Sequence, residues 1–143
     1  MNEQLNLPVA NVKLKGNQIW DRLRKKYVLC TPEEWVRQHF VAYLIDHLNY
    51  PEGRMASEYT VNYNGMKKRC DVVGFNADFS PSFIVECKAS SIAITEDTFF
   101  QIAKYTRTLQ AKMLMLTNGI NHYCAIINET GLNYLEEIPS FKD

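Results

Sequence analysis

Lys67–Ala89 reads KKRCDVVGFNADFSPSFIVECKA. It holds two apolar runs, Val72-Val73-Gly74-Phe75 and Phe83-Ile84-Val85, and each meets charge where a buried strand should carry none. Asp71 opens the first run; Glu86 and Lys88 close the second. Strand side chains alternate faces with period two. A strand over 83–88 therefore puts Ile84, Glu86 and Lys88 on one face and Phe83, Val85 and Cys87 on the other. Charges at the end of an apolar strand are costly to bury unless they pair or bind a metal. If the two runs are adjacent strands, Asp71 stands beside Glu86.

Two carboxylates and a lysine at a strand edge suit one chemistry. Mg²⁺ is a hard ion that takes carboxylate and carbonyl oxygens and keeps several waters. It can clamp a phosphate and activate water for in-line attack. Asp71, Glu86 and the backbone carbonyl of Cys87 can supply the protein ligands, with Mn²⁺ able to substitute. Lys88 can position or deprotonate the water and neutralise charge developing on the phosphate. The plainer alternative is structural: Glu86 and Lys88 pair at a sheet rim, and Asp71 sits in a turn.

At 143 residues the chain is long enough for one domain with a substantial core. Its hydrophobic content of 46% and aromatic content of 12% argue against disorder. Sixteen basic and sixteen acidic residues cancel, which argues against a strongly basic nonspecific coat for nucleic acid but leaves room for a local basic groove. Met1–Leu7 is polar, so no secretory leader is expected, and no apolar run approaches membrane-spanning length. The four cysteines, at 30, 70, 87 and 124, are isolated and form no CxxC pair. They read as free thiols in a reducing cytoplasm rather than a zinc site.

Around the central stretch the elements follow from local signals. Residues 1–30 form an extension: an irregular lead to residue 11, then VKLKGNQIWDRLRKKYVL, read as two short strands or a helical turn. Its basic run, Arg22, Arg24, Lys25 and Lys26, either follows a phosphate backbone or is a solvated face. Thr31-Pro32-Glu33-Glu34 starts a helix, with Thr31 as cap, Pro32 at the first position and Glu34 closing a capping box. Val36, Phe40, Val41, Leu44, Ile45 and Leu48 give that helix its apolar stripe. Glu34 either caps it or faces an active site at its N-terminus, and Arg37, one turn on, pairs with Glu34 or reaches a phosphate. Met55–Tyr63 and Met66–Phe75 read as a hairpin around Asn64-Gly65, an expected type I′ turn. Ser82–Ala89 is the third strand of a meander. Thr95 caps a second helix to about Gln110 with Phe99, Ile102, Ala103 and Leu109 inward; Gln101 and Tyr105 share its flank. Strands follow at 112–117 and 122–127, and residues 128–143 form a tail that packs back as a short helix or strand. The core is expected at about 31–127, in one domain spanning 1–143: a mixed α/β sheet flanked by helices, in the order α-β-β-β-α-β-β.

This constellation resembles the PD-(D/E)xK nuclease superfamily, whose restriction-endonuclease-like core is αβββαβ. The matching pieces are Asp71 on the second core strand, Glu86-x-Lys88 on the third and a glutamate in the preceding helix. Gln101-x-x-x-Tyr105 matches the QxxxY motif of the RecB-like branch. More narrowly, TPEEWVRQHF, NGMKKRCDVVGF, FIVECKA, FFQIAKY and LTNGINHYC are similar to the N-terminal nuclease domain of type I restriction enzyme R subunits, over roughly residues 19–141. The resemblance implies Mg²⁺-dependent endonucleolytic cleavage of DNA. Asp71 and Glu86 would bind metal, Lys88 would act on the attacking water, and Glu34, or Glu33 in its place, would be the helix glutamate. Gln101 would orient Lys88 or contact DNA, and Tyr105 would support the site. Arg37, Lys67, Lys68, Arg69 and Gln101 are the expected contacts to nucleic acid. Cys70 stands where the superfamily's name has proline.

R subunits continue into an ATP-driven helicase motor, whereas this chain shows nothing like a P-loop, so ATP dependence and translocation are not carried over. Restriction–modification or helicase partner subunits are implied, and a homodimer that cuts both strands is an open option. The competing reading is a DNA-binding or protein-interaction module that keeps the fold without efficient cleavage. The intact Asp71, Glu86 and Lys88 favour the nuclease.

Overall fold

A computed structural model of the chain describes residues 3–63 and 65–142. After an irregular lead, β1 (Leu14–Lys15), β2 (Gln18–Asp21) and β3 (Lys26–Leu29) form a small antiparallel sheet in chain order. The extension thus holds three short strands. The turn after β2 is fastened by Asp21, whose carboxylate accepts the N–H groups of Leu23 and Arg24 at 2.9 and 3.0 Å. Helix α1 (Pro32–Asp46) starts where the capping signals place it: the Thr31 hydroxyl accepts the Glu34 N–H at 3.0 Å, with Pro32 in the first turn. Glu34 does not close the expected capping box. Its side chain turns inward to Arg37 and Gln38 instead.

The main sheet has six strands in the order of the chain: β4 (Met55–Tyr63), β5 (Met66–Phe75), β6 (Pro81–Cys87), β7 (Met113–Thr117), β8 (His122–Asn128) and β9 (Gly131–Leu135). Only β6 and β7 pair in parallel; between them the chain crosses over through α2 (Glu96–Thr108). A parallel step needs such a crossover, while the antiparallel steps close with short turns. β4 and β5 pair from Met55↔Gly74 to Tyr63↔Met66. The type I′ turn expected between them falls on Asn64, outside the described residues. The tail supplies β9, so it extends the sheet rather than merely covering it.

Each helix seals one face of the sheet. Val36, Phe40, Val41 and Leu44 of α1 pack with Val72, Phe83, Val85, Cys87 and Met115. Phe99, Ile102 and Ala103 of α2 pack with Val73, Ile84, Leu114 and Leu116. The alternation read from FIVEC is visible here: Phe83, Val85 and Cys87 meet α1, and Ile84 meets α2. Gly74 lies opposite Phe83, and a Cβ at that position would sit 2.0 Å from the Phe83 ring. Only glycine lets the ring cross β5. Cys70, Cys87 and Cys124 are buried and Cys30 half-buried, all as free thiols. Among the described residues no helix is long and apolar enough to cross a membrane.

Candidate active site

The site forms where β5 and β6 part. Their ladder runs through Val72↔Val85, and the next opposed pair would be Asp71 and Glu86. There side chains replace backbone bonds. The Asp71 N–H donates to Glu86 Oε2 at 3.1 Å, and the Cys87 N–H donates to Asp71 Oδ2 at 2.7 Å. Each carboxylate thus holds the other strand's backbone. The Cys87 N–H points into this gap, and in extended backbone the carbonyl of the same residue points the same way. Asp71, Glu86 and the Cys87 carbonyl therefore converge on one opening.

The pleat changes phase beside Asp71. Cys70 packs on the α2 side, while Val72 packs on the α1 side and Val73 returns to α2. Across the ladder, Glu58 takes φ +53°, a left-handed conformation that is unusual for a residue with a side chain. Met55 before it packs towards α1 and Val61 after it towards α2. The two irregularities face each other, so the strands stay in register from Ser57↔Val72 to Tyr59↔Cys70. The reversal turns the Asp71 and Glu58 carboxylates towards the N-terminal half of α1.

A buried arginine receives them. Arg37, 4% exposed, donates to Glu34 at 2.7 and 2.9 Å, to Glu58 Oε1 at 2.7 Å and to the Asp71 carbonyl at 3.2 Å. Its Nη1 lies 3.9 Å from Asp71 Oδ1. The chain of charges continues on both sides. Arg24 pairs with Asp21 at 2.5 Å and approaches Glu34 at 3.6 Å; Arg69 pairs with Glu58 at 2.5 Å. Burial disfavours the Arg37 charge, but Glu34 and Glu58 outweigh it and hold its pKa above the usual arginine value. For Glu58, the Arg37 bond and charge overcome burial and hold the carboxyl below its usual range. Among the described residues no buried side-chain nitrogen or oxygen lacks a partner.

Glu86 is the electrostatic centre. Burial and the neighbouring Asp71 charge push its pKa from 4.5 up to about 7, against a lowering hydrogen bond from Tyr105. The Tyr105 hydroxyl donates to Glu86 Oε1, and Lys68 Nζ sits 4.5 Å above the Tyr105 ring. Glu33 is exposed at the start of α1. Burial and Asp71 raise its pKa, while Arg37 and Lys88 oppose that rise, so it shares the field of the site. Lys88 lies one residue beyond β6, which ends at Cys87 rather than running to Ala89; its N–H donates to the Thr117 carbonyl at 2.8 Å.

An open cleft of about 550 Å³ lies at the N-terminal end of α1, lined in part by Leu29, Glu33, Glu34, Arg37, Glu58 and Ala89. The structure brings together Asp71, Glu86, Cys87 and Tyr105. Arg37 is engaged internally rather than presented to solvent. Glu34 is 5% exposed and bound to Arg37 and Gln38, whereas Glu33 stays open to the cleft. Gln101 is exposed on α2, and its side chain makes no hydrogen bond among the described residues. Lys67, Lys68 and Arg69 are exposed on β5. Glu58 was not visible to sequence reasoning, although the hairpin register already carries the signal: pairing Tyr63 with Met66 sets Glu58 opposite Asp71.

The donor set suits a hard divalent cation. Two carboxylates and a carbonyl face one gap, and burial together with the second carboxylate beside it pushes the Glu86 pKa up to about 7. A cation between them removes that repulsion. Among the described residues no group of three or more His, Cys, Asp and Glu side chains is placed to hold a metal, so water and the main chain would have to complete the shell.

Comparison with known proteins adds the following. A family model described as type I restriction enzyme R protein N terminus matches residues 32–139. A solved structure, "the fragment structure of a putative HsdR subunit of a type I restriction enzyme from Vibrio vulnificus YJ016", superposes with a TM-score of 0.56 at 21% identity. The alignment covers 76% of this chain and 23% of that one, so this chain spans less than a quarter of it. At that identity the likeness speaks for the fold. No curated protein matches the chain.

Proposed function

The chain belongs to the family of type I restriction enzyme R protein N termini, and from that premise we propose that it is a Mg²⁺-dependent DNA endonuclease. The observation that carries this reading is the reciprocal clamp at the parting of β5 and β6, where Asp71 and Glu86 each accept the other strand's N–H and face one opening.

The chain's own groups divide the work. Asp71, Glu86 and the Cys87 carbonyl hold the metal. Bound there, Mg²⁺ supplies a Lewis acid for a phosphoryl oxygen and a water of lowered pKa. Tyr105 fixes the Glu86 carboxylate through Oε1, and Arg37 fixes the main chain of Asp71 through its carbonyl. Lys88, just past the strand end, positions the attacking water and neutralises charge gathering on the phosphate. Glu33 takes the part of the helix glutamate, since Glu34 is consumed by Arg37. Arg69 and Lys68, exposed beside the site, meet the DNA backbone. DNA and the other subunits of a restriction–modification assembly are the proposed partners.

A second reading, a DNA-binding module without efficient cleavage, draws on the sparse donor set: among the described residues, two acidic side chains, Asp71 and Glu86, meet at the gap. Purified protein with supercoiled plasmid decides between the two, run with Mg²⁺, Mn²⁺ or EDTA beside Asp71→Ala and Lys88→Ala. Metal-dependent nicking that both substitutions abolish supports the nuclease. Nicking that survives both refutes the site. An inert wild type that binds neither Mg²⁺ nor Mn²⁺ by calorimetry leaves the binding module.

A further inference from the structure

The basic run singled out in the extension is not a free basic surface. Arg22 is held by Asp46 and Glu52 at 3.0 and 3.1 Å, Arg24 by Asp21, and Lys25 lies 3.9 Å from Glu52. The unspent charge lies further along the small sheet, on Lys13 and Lys15. Strand pairing aligns Lys13, Trp20 and Tyr27 in one cross-strand row, with the Trp20 N–H donating to the Lys13 carbonyl at 2.9 Å. Lys15, Gln18 and Leu29 form the next row on the same face. Lys13 Nζ stands 5.7 Å from the Trp20 ring centre and Lys15 Nζ 5.6 Å from that of Tyr27. The two rings touch edge to face at 5.1 Å.

We propose that this outer face of the β1–β3 sheet is a docking surface for the sugar–phosphate backbone of DNA led towards the gap between Asp71 and Glu86. The occupant follows from charge and position. Both lysines are exposed, and no carboxylate pairs with either among the described residues. The aromatic rings hold the two ammonium groups in place before any ligand arrives, which lowers the entropy lost on binding. Lysines two apart on a strand present charges roughly 7 Å apart, a span that covers two phosphates of one strand. Leu29, on the same face and 57% exposed, also lines the cleft that Glu33, Arg37 and Glu58 share, so the surface runs on to the residues that flank Asp71. The sheet lies outside the residues shared with the family, which begin at 32. It is therefore a contact that the shared nuclease core does not account for.

The inference rests on DNA being the substrate, and its test is separable from cleavage. Binding of a short labelled duplex is measured by fluorescence anisotropy in EDTA across a salt series. Wild type, the double variant Lys13→Glu/Lys15→Glu and its charge-preserving partner Lys13→Arg/Lys15→Arg are compared. Lys112→Glu/Lys142→Glu serves as a charge-matched control. Those residues lie at the opposite end of β6 and β7, near Ser82 and Met113. Losing two phosphate contacts should weaken binding roughly tenfold or more at about 0.1 M salt and flatten the salt slope by about 1.8. The arginine variant and the far-end control should stay within a few-fold of wild type. Equal binding and an equal slope in Lys13→Glu/Lys15→Glu overturn the docking surface and leave the nuclease to be judged by plasmid nicking. A matching loss in the far-end control shows net charge alone at work and also overturns it. A wild type that does not bind the duplex removes docking outright. Binding lost in the double variant of a protein that never nicks keeps the surface and refutes only the nuclease.

Discussion

Replacing Glu86 by glutamine should stabilise the metal-free protein, and by more at high pH than at low. Glu86 titrates near 7 in the folded chain against 4.5 for a free glutamate. A carboxyl raised in this way lends stability that is complete below the unfolded value and is lost as pH rises through the folded one. From pH 5 to pH 8 the native carboxyl therefore forfeits about 2.5 kcal/mol, from a shift of about 2.5 units at 1.36 kcal/mol each, less the part already lost at pH 5. Glutamine carries no proton to lose. Its amide oxygen can accept the Asp71 N–H, and its NH₂ can donate to Tyr105 or the Asp71 carboxylate. In thermal melts with EDTA, the gap in Tm between E86Q and wild type should widen by roughly 8–10 °C between pH 5 and pH 8 for a domain of this size. Adding Mn²⁺ at pH 8 should raise the wild-type Tm and leave E86Q unmoved, because a ligand that binds only the folded state stabilises it by mass action. A gap constant with pH would show that Glu86 is an ordinary surface-like carboxylate, and the electrostatic argument for the site would fail.

Three other outcomes can be checked directly. Tyr105→Phe removes a bond that lowers the Glu86 pKa, so the pH midpoint for Mn²⁺ binding, followed by calorimetry, should move upward; an unchanged midpoint would separate Tyr105 from the site. Gly74→Ala places a Cβ 2.0 Å from the Phe83 ring and should destabilise by about 1–3 kcal/mol or more through overpacking, read from urea melts, whereas Gly53→Ala, with open space around it, should be nearly silent. Glu34→Gln leaves Arg37 with a broken buried pair and should cost about 3–5 kcal/mol, while Glu33→Gln should leave stability intact and reduce plasmid nicking; the reverse pattern would return the helix-glutamate role to Glu34.

Much of this architecture was legible because local signals agreed with one another. Thr31-Pro32 fixes the start of α1, and a hairpin with two residues between Tyr63 and Met66 fixes the register of β4 and β5. Period-two alternation then sorts Phe83, Val85 and Cys87 from Ile84. Adjacency of the two apolar strands sets Asp71 beside Glu86. Three features were not legible, each for a physical reason. Glu34 and Glu33 both lie at the margin of the helical stripe, and only the burial of Arg37 distinguishes them. Lys88 falls just past the end of β6, although its N–H still reaches the Thr117 carbonyl. In the extension, arginines and lysines look alike in sequence, yet Arg22 and Arg24 are spent on Asp46, Glu52 and Asp21 while Lys13 and Lys15 stay open.

Glu58 shows most clearly where sequence reading ends. Period-two alternation assumes an unbroken pleat, and by it Glu58 belongs on the face opposite Met55, Ser57, Tyr59 and Val61. That expectation holds only while φ stays negative. At +53° the strand reverses face, and the reversal must be matched on β5, because unmatched it would shift the register of every later pair. The match falls on Asp71. A left-handed glutamate costs about 1–2 kcal/mol and persists here because its carboxylate is gripped by Arg37 and Arg69. The strain is thus located on the residue opposite the candidate metal ligand, and it turns Asp71 out of the ladder towards Glu86.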